Sequence, residues 1–316
     1  MQIKNVKYDI LEKKLSDRLE KNKDLSHFFT LKMHTIAEYF YEPKSIQDWK
    51  EVMTIIADNN IPYLVIGGGS NIAVFQEHIS GIVLRNQFIS KSIEDETDEY
   101  VDLKISSGYP MSLLIKETIE LGLSGFEYHY GLPGTLGGAI YMNSKWTRPL
   151  SYVSDSLMLA TIIDDDAVIR EEIRDYFEFA YDFSKLQITK ELFLEGVFRL
   201  MRHDSIELKK RAEDALWYRK DTQPFGVATG GCFFQNISNQ EKEKHSLPTT
   251  SAGYLIDAAG LKGATIGGFH VSKKHANFII NTGDGKHAEL RKLIQLVKDT
   301  VKEKYDIDLK DEVRIV

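Results

Sequence analysis

A single cysteine, Cys232, among 316 residues leaves no second thiol for an intrachain disulfide, as expected of a chain kept in a reducing compartment. One thiol cannot build a cysteine-rich zinc site, and the nine histidines include no His-Glu-x-x-His pair. There is no Gly-x-Ser-x-Gly elbow, so a serine hydrolase of that type has no support. No apolar run approaches the roughly 18 residues of a membrane span. The N-terminal MQIKNVKYDILEKKLSDRLEK breaks its apolar residues with charge too often for a secretory signal. Positive charge is not in excess either. With 40 Lys and Arg against 47 Asp and Glu, the net charge is −7, which argues against nucleic acid as the main partner. Hydrophobic residues at 42% and charged residues at 28% are enough for a sizeable core. The expectation is a soluble, cytoplasmic protein without a membrane or nucleic-acid partner. Its oligomeric state is not encoded in any of these features.

The length suggests about two domains. Residues 1–24 carry Ile10, Leu11, Leu15 and Leu19 at helical spacing and predict a leading helix. Ser45 predicts the N-cap of a helix over 45–60, with Trp49, Val52, Ile55 and Ile56 inward. Short β-type runs follow at Tyr63–Ile66, Ile72–Phe75, Gly81–Leu84 and Val101–Ile105, then a helix near Met111–Leu121. A strand at Glu195–Met201 and a charged helix from Ile206 place a boundary between 203 and 204. His287–Tyr305 is a strongly amphipathic helix, and Ile307, Leu309, Val313 and Ile315 share one phase of a closing strand, with Glu312 on the other. The mixture without regular βαβ alternation is α+β.

Three segments carry candidate chemistry. Gly67-Gly68-Gly69-Ser70-Asn71 lies between two apolar runs, where it is either a tight turn or a main-chain nest for phosphate oxygens. It is neither a Rossmann fingerprint nor a P-loop, because Ile72 holds the third glycine's place and no Gly-Lys-Ser/Thr follows. Gly131-Leu132-Pro133-Gly134-Thr135-Leu136-Gly137-Gly138-Ala139 has four glycines and one proline beside apolar neighbours. That suits a flat ligand read by main-chain groups better than it suits a polar linker. Cys232 follows Gly230-Gly231. It is either a small buried hydrophobe or a proton donor given room by the glycines.

Together these blocks resemble the UDP-N-acetylenolpyruvoylglucosamine reductases. The likeness runs from about Phe29 to the C-terminus through YLVIGGGSNIAV, GLSGFEYHYGLPGTLGGAIYMN, GGCFFQN, SAGYLIDAAGLKG, HANFIIN and LKDEV. After the leading helix over 1–24, it implies a two-subdomain FAD-binding domain of the vanillyl-alcohol-oxidase (PCMH) type over 25–203, and a smaller α+β substrate domain over 204–316. It implies non-covalent FAD held by Gly67, Gly68, Gly69, Ser70 and Asn71 at the pyrophosphate, and by Pro133, Gly134, Thr135, Gly137 and Gly138 along the isoalloxazine. NADPH would be the co-substrate and a UDP-linked enolpyruvyl sugar the partner, in cell-wall synthesis. Cys232 maps to the proton donor, Glu312 to the acid that assists it, and Asn236 to the substrate, with Arg219 and Arg148 as further substrate-binding candidates in this chain.

The departures from the family's pattern are local. Tyr181-Asp182-Phe183-Ser184 stands where the family has Tyr-Arg-x-Ser, so Asp182 occupies the catalytic arginine's place. Asn143-Ser144-Lys145-Trp146-Thr147-Arg148 replaces Asn-Ala-Gly-Ala-Tyr-Gly, and His34-Thr35 replaces an early Gly-Gly. At an effective dielectric of about 20, charges about 4 Å apart interact by roughly 4 kcal/mol, so this sign reversal is severe. Arg148 is the cation the sequence offers in compensation. The alternative is a flavin-binding paralogue with a changed substrate or without reductase activity.

Overall fold

In this computed structural model residues 3–316 are described, so the first two residues of the expected leading helix lie outside them. The chain forms two compact units. The first comprises Met1–Lys23, Ala37–Gly68 and Ser80–Arg219, and the second Asp24–Ile36, Gly69–Ile79 and Lys220–Val316. Each unit is discontinuous in sequence, and one crossing falls inside the triple glycine.

The first unit holds two sheets. One has four strands in the order Glu20–Asp24, Ile36–Tyr41, His78–Arg85, Tyr63–Ile66, the last two parallel. Its helix, Ile46–Asn59, is capped as expected, Ser45 accepting from Asp48 N at 3.1 Å, and buries Trp49, Val52, Met53, Ile55 and Ile56 with Ile82 and Leu84. The other sheet is antiparallel, in the order Ile169–Ile173, Leu157–Ile163, Leu192–Arg202, Tyr100–Ser106, Lys91–Glu96, with Leu123–Ser124 added beside Leu192–Arg202. Its core joins Leu103, Ile105, Leu114, Ile115, Phe126 and Phe198. Phe126 and Phe198 meet edge to face, with centroids 5.5 Å apart.

The second unit is built on an antiparallel sheet in the order Ala228–Cys232, Phe278–Asn281, Phe269–Val271, Thr265–Ile266. Helices Ala252–Ala258 and His287–Tyr305 share its core through Leu255, Ile256, Leu290, Leu293, Ile294 and Val297. The parallel pair Ile72–Ala73 and Arg314–Ile315 completes it.

Two elements differ from the sequence reading. The leading helix ends at Leu15, and Glu20–Asp24 is a strand. Ser16 takes a positive φ of 49°, which stops the helix, and Glu20–Asp24 has no apolar residue to reveal its edge position. At the other end only Arg314–Ile315 is strand; Ile307, Leu309 and Val313 are buried but Ile315 is 37% exposed. Among the described residues no helix is long and apolar enough to cross a membrane. Phe198→Ala is expected to lower unfolding free energy by about 3–5 kcal/mol. Guanidinium unfolding should show the shift, and the conservative Phe198→Leu should lose much less.

Candidate active site

The second glycine-rich segment is held by main-chain bonds to the residues before helix Met111–Glu120. Met111 N donates to Gly134 O at 3.1 Å, Leu136 N to Tyr109 O at 2.9 Å, and Gly137 N to Ser107 O at 2.8 Å. Gly137 and Gly138 enter a short helix, Leu136–Tyr141, so the irregular part is only Gly131–Thr135. Here the first glycine loop comes in. A Cβ on Gly68 would sit 2.5 Å from Gly134 Cα, and one on Gly67 would collide with Thr135 Oγ1. Two stretches of backbone therefore meet with no side chain between them. Pro133, Gly68 and Gly138 are exposed.

In the second unit Gly69 has a φ of 62°, and a side chain there would strike Phe28 O. Thr30 donates to Gly69 O through both its N (3.1 Å) and its Oγ1 (3.3 Å). Asn71 is tied to the C-terminal segment, its Nδ2 donating to Glu312 O at 3.3 Å while its O accepts from Arg314 N at 3.0 Å. That segment also runs beside the strand carrying Cys232. Gln235 N donates to Lys310 O at 2.9 Å, and Glu312 N to Phe233 O at 2.9 Å. Glu312, 80 residues beyond Cys232 in sequence, is thus bonded through its main chain to Phe233, the residue that follows Cys232. The sheet register shifts between Thr229 and Cys232, at Gly230-Gly231, and Gly231 has a φ of 86°. Cys232 and Glu312 are half-buried. Asn236 is exposed, and its Oδ1 accepts from Ala252 N at the start of helix Ala252–Ala258.

The remaining candidates belong to the first unit. Asp182 occupies a tight turn closed by Ala180 and Phe183, with a φ of 49°. It is buried, and its Oδ2 has no hydrogen-bond partner. Burial pushes its carboxyl above the ordinary range, while the Lys145 ammonium and a Tyr181 hydrogen bond pull the other way. The cation acting on Asp182 is therefore Lys145. Arg148, the cation expected from sequence, is exposed and lies over the Tyr218 ring at 4.7 Å. Tyr218 meets Trp146 edge-on at 5.7 Å, and the buried Arg219 stacks on Trp146 at 4.7 Å. The segment that departs from the family's pattern is thus a cation–aromatic ladder.

Two groups carry no role from the sequence. Lys145 gave no periodic or motif signal, and its only clue was its place in the altered segment. His129 is fully buried beside the glycine loop, its Nε2 3.3 Å from Ser151 Oγ and its Nδ1 without a hydrogen-bond partner. Burial first, then the Arg219 charge, lower its pKa to about 3.

The comparisons with known proteins agree with this picture. The C-terminal domain of UDP-N-acetylenolpyruvoylglucosamine reductase matches residues 223–316, and an FAD binding domain matches 37–171. The chain is similar to the UDP-N-acetylenolpyruvoylglucosamine reductases of Halalkalibacterium halodurans, 34% identical over 93% of both chains, and of Chlamydia muridarum, 35% identical over 92% of both. The crystal structure of the Thermus caldophilus reductase superposes with a TM-score of 0.77 at 26% identity, covering 94% of this chain and 98% of that one.

His129 gives a pH prediction. Its pKa is lowered on folding, so the unfolded chain binds the extra proton and stability falls as pH drops below the unfolded value of about 6.5. Between pH 6.5 and 5 the wild type should lose about 2 kcal/mol more than His129→Gln. Urea titrations at several pH values measure the difference; parallel curves would show that His129 titrates normally.

Proposed function

This chain belongs to the UDP-N-acetylenolpyruvoylglucosamine reductase family, and from that premise we propose that it reduces a UDP-linked enolpyruvyl amino sugar with NADPH, giving UDP-N-acetylmuramate or a close relative for peptidoglycan. It carries an FAD-binding domain of the PCMH type followed by the family's C-terminal domain. The observation that supports catalysis best is the ladder that brings the segment of Glu312 against Phe233, next in sequence to Cys232, since a binding module has no need of an acid and a thiol in adjoining segments. The same reading puts the reaction in the cytoplasm, where nucleotide-linked sugars are made.

The glycine loops fit FAD. Gly68 and Gly134 approach backbone to backbone, and bulk at Gly68 would force apart the two loops that a flat ring and its pyrophosphate require. Gly67–Asn71 would hold the pyrophosphate, and Pro133, Gly134, Thr135, Gly137 and Gly138 would lie along the ring, with no covalent link from either loop. FAD bound there supplies the transfer of a hydride from NADPH to the enolpyruvyl double bond.

The chain's own residues manage the charge that follows. A hydride arriving at one carbon leaves negative charge on its neighbour, spread into the substrate carboxylate. The Cys232 thiol delivers a proton to that neighbouring carbon, leaving a thiolate that solvent or Glu312 reprotonates. The Gly230-Gly231 bulge lets backbone and substrate approach closely. Glu312 orients the substrate end. Asn236, Arg219 and Arg148 are assigned to the rest of the substrate, with Asn236 fixed by its bond to Ala252 N.

Anaerobic spectroscopy tests the assignment. NADPH should bleach the bound flavin, and UDP-N-acetylglucosamine enolpyruvate should restore its colour. Cys232→Ala should leave bleaching intact and slow reoxidation by about 10²–10⁴-fold, with Cys232→Ser recovering a good part. An alanine variant as fast as wild type would make Cys232 a bystander. If the sugar fails to reoxidise the wild-type protein, the chain is a flavin-binding paralogue with another role. Gly68→Ala should weaken FAD binding at least about tenfold by equilibrium dialysis, because the methyl group forces the two loops apart.

A further inference from the structure

Lys145 opens the strand Lys145–Thr147, and its Nζ stands 3.1 Å from the centre of the Tyr181 ring. The next residue, Asp182, sits in a turn that is locked from outside. Asn143 Nδ2 donates to Ala180 O at 2.9 Å, Gln187 Nε2 donates to Asp182 O at 3.0 Å, and Ser154 Oγ donates to Asn143 Oδ1 at 2.6 Å. Asp182 is 7% exposed and its Oδ2 lacks a hydrogen-bond partner. A buried carboxylate of this kind is costly unless a cation compensates it. Lys145 supplies that charge. The turn cannot swing Asp182 away without breaking these bonds, so it is the flexible lysine stem that adapts. An ammonium has three donors in different directions, so a ring face and an acid can steer it while it meets a further carboxylate.

We propose that Lys145 is the cation that receives the carboxylate of the enolpyruvyl substrate, and that Asp182 is the positioning residue that keeps Lys145 over the Tyr181 ring. The acid and the base have in effect been divided between two segments: the turn at 182 carries the anion, and the strand at 145 carries the cation that meets the substrate. The proposal rests on the reductase reading above. It also gives Asp182 a definite cost. Its own charge opposes the substrate carboxylate, so its removal should not weaken substrate binding even though it loosens Lys145.

The FAD-loaded protein is reduced with NADPH without oxygen and mixed with UDP-N-acetylglucosamine enolpyruvate. Binding of the same sugar to the oxidised protein is measured by calorimetry. Lys145→Met should slow reoxidation by about 50-fold and weaken sugar binding about tenfold, with flavin reduction by NADPH within about twofold of wild type. Lys145→Arg should recover most of both. Asp182→Asn should slow reoxidation by about tenfold without raising the half-saturating sugar concentration, a split that general loss of structure would not produce. If Lys145→Met loses its flavin, Lys145→Gln replaces it, and recovery by arginine but not glutamine supports the proposal. Reoxidation of the neutral variant within about twofold of wild type overturns it while leaving the reductase reading intact. A wild-type protein that the sugar cannot reoxidise defeats that reading first, and this proposal with it.

Discussion

Where Gly68 faces Gly134, two stretches of main chain approach so closely that a methyl group on the first would lie 2.5 Å from the Cα of the second. The architecture of the first unit serves that approach. The Gly131–Thr135 loop and the helix start that follows it are fastened to Met111, Tyr109 and Ser107 through main-chain bonds from Gly134, Leu136 and Gly137, and Ser107 N in turn donates to Leu194 O at 2.8 Å in the central strand. The antiparallel sheet thereby fixes a loop that has no regular structure of its own. Side chains would have offered more contacts, but they would have removed the flat, main-chain surface that the two glycine loops present.

A second theme is titratable groups kept out of water. Asp182 and His129 are both buried in the first unit, each with a polar atom lacking a hydrogen-bond partner. Burial dominates both, raising the acid's pKa and lowering that of the histidine. Such groups cost stability and persist where the surrounding framework is stiff. Here that framework is the Asn143–Ser154 and Gln187 network together with the cation–aromatic stacking of Trp146, Tyr218 and Arg219. The altered segment after the second glycine-rich loop is thus an ordered replacement rather than a loosened one.

In the second unit the same economy appears in the backbone ladder. Residues 233–235 bond to 310–312, and Asn71 bonds to Glu312 and Arg314. Three pieces of chain distant in sequence are joined almost entirely through main-chain groups, which places Glu312 against Phe233, the residue after Cys232, whatever the side chains at intervening positions are.

Much of this was written locally in the chain. Helices Ile46–Asn59 and His287–Tyr305 follow from apolar spacing and a Ser45 cap, the strands from β-branched runs, and the glycine loops from composition, because these signals act between residues close in sequence. The family motifs carried the FAD-binding fold for the same reason. Other features depended on partners far along the chain. Glu20–Asp24 is a strand because an edge accepts its backbone, and Ile315 is half-exposed although its phase reads as buried. Lys145, rather than Arg148, acts on Asp182 because a turn some 37 residues downstream brings the neighbouring Tyr181 ring beneath it. Electrostatic coupling depends on distance in space, and no spacing rule along the sequence encodes it.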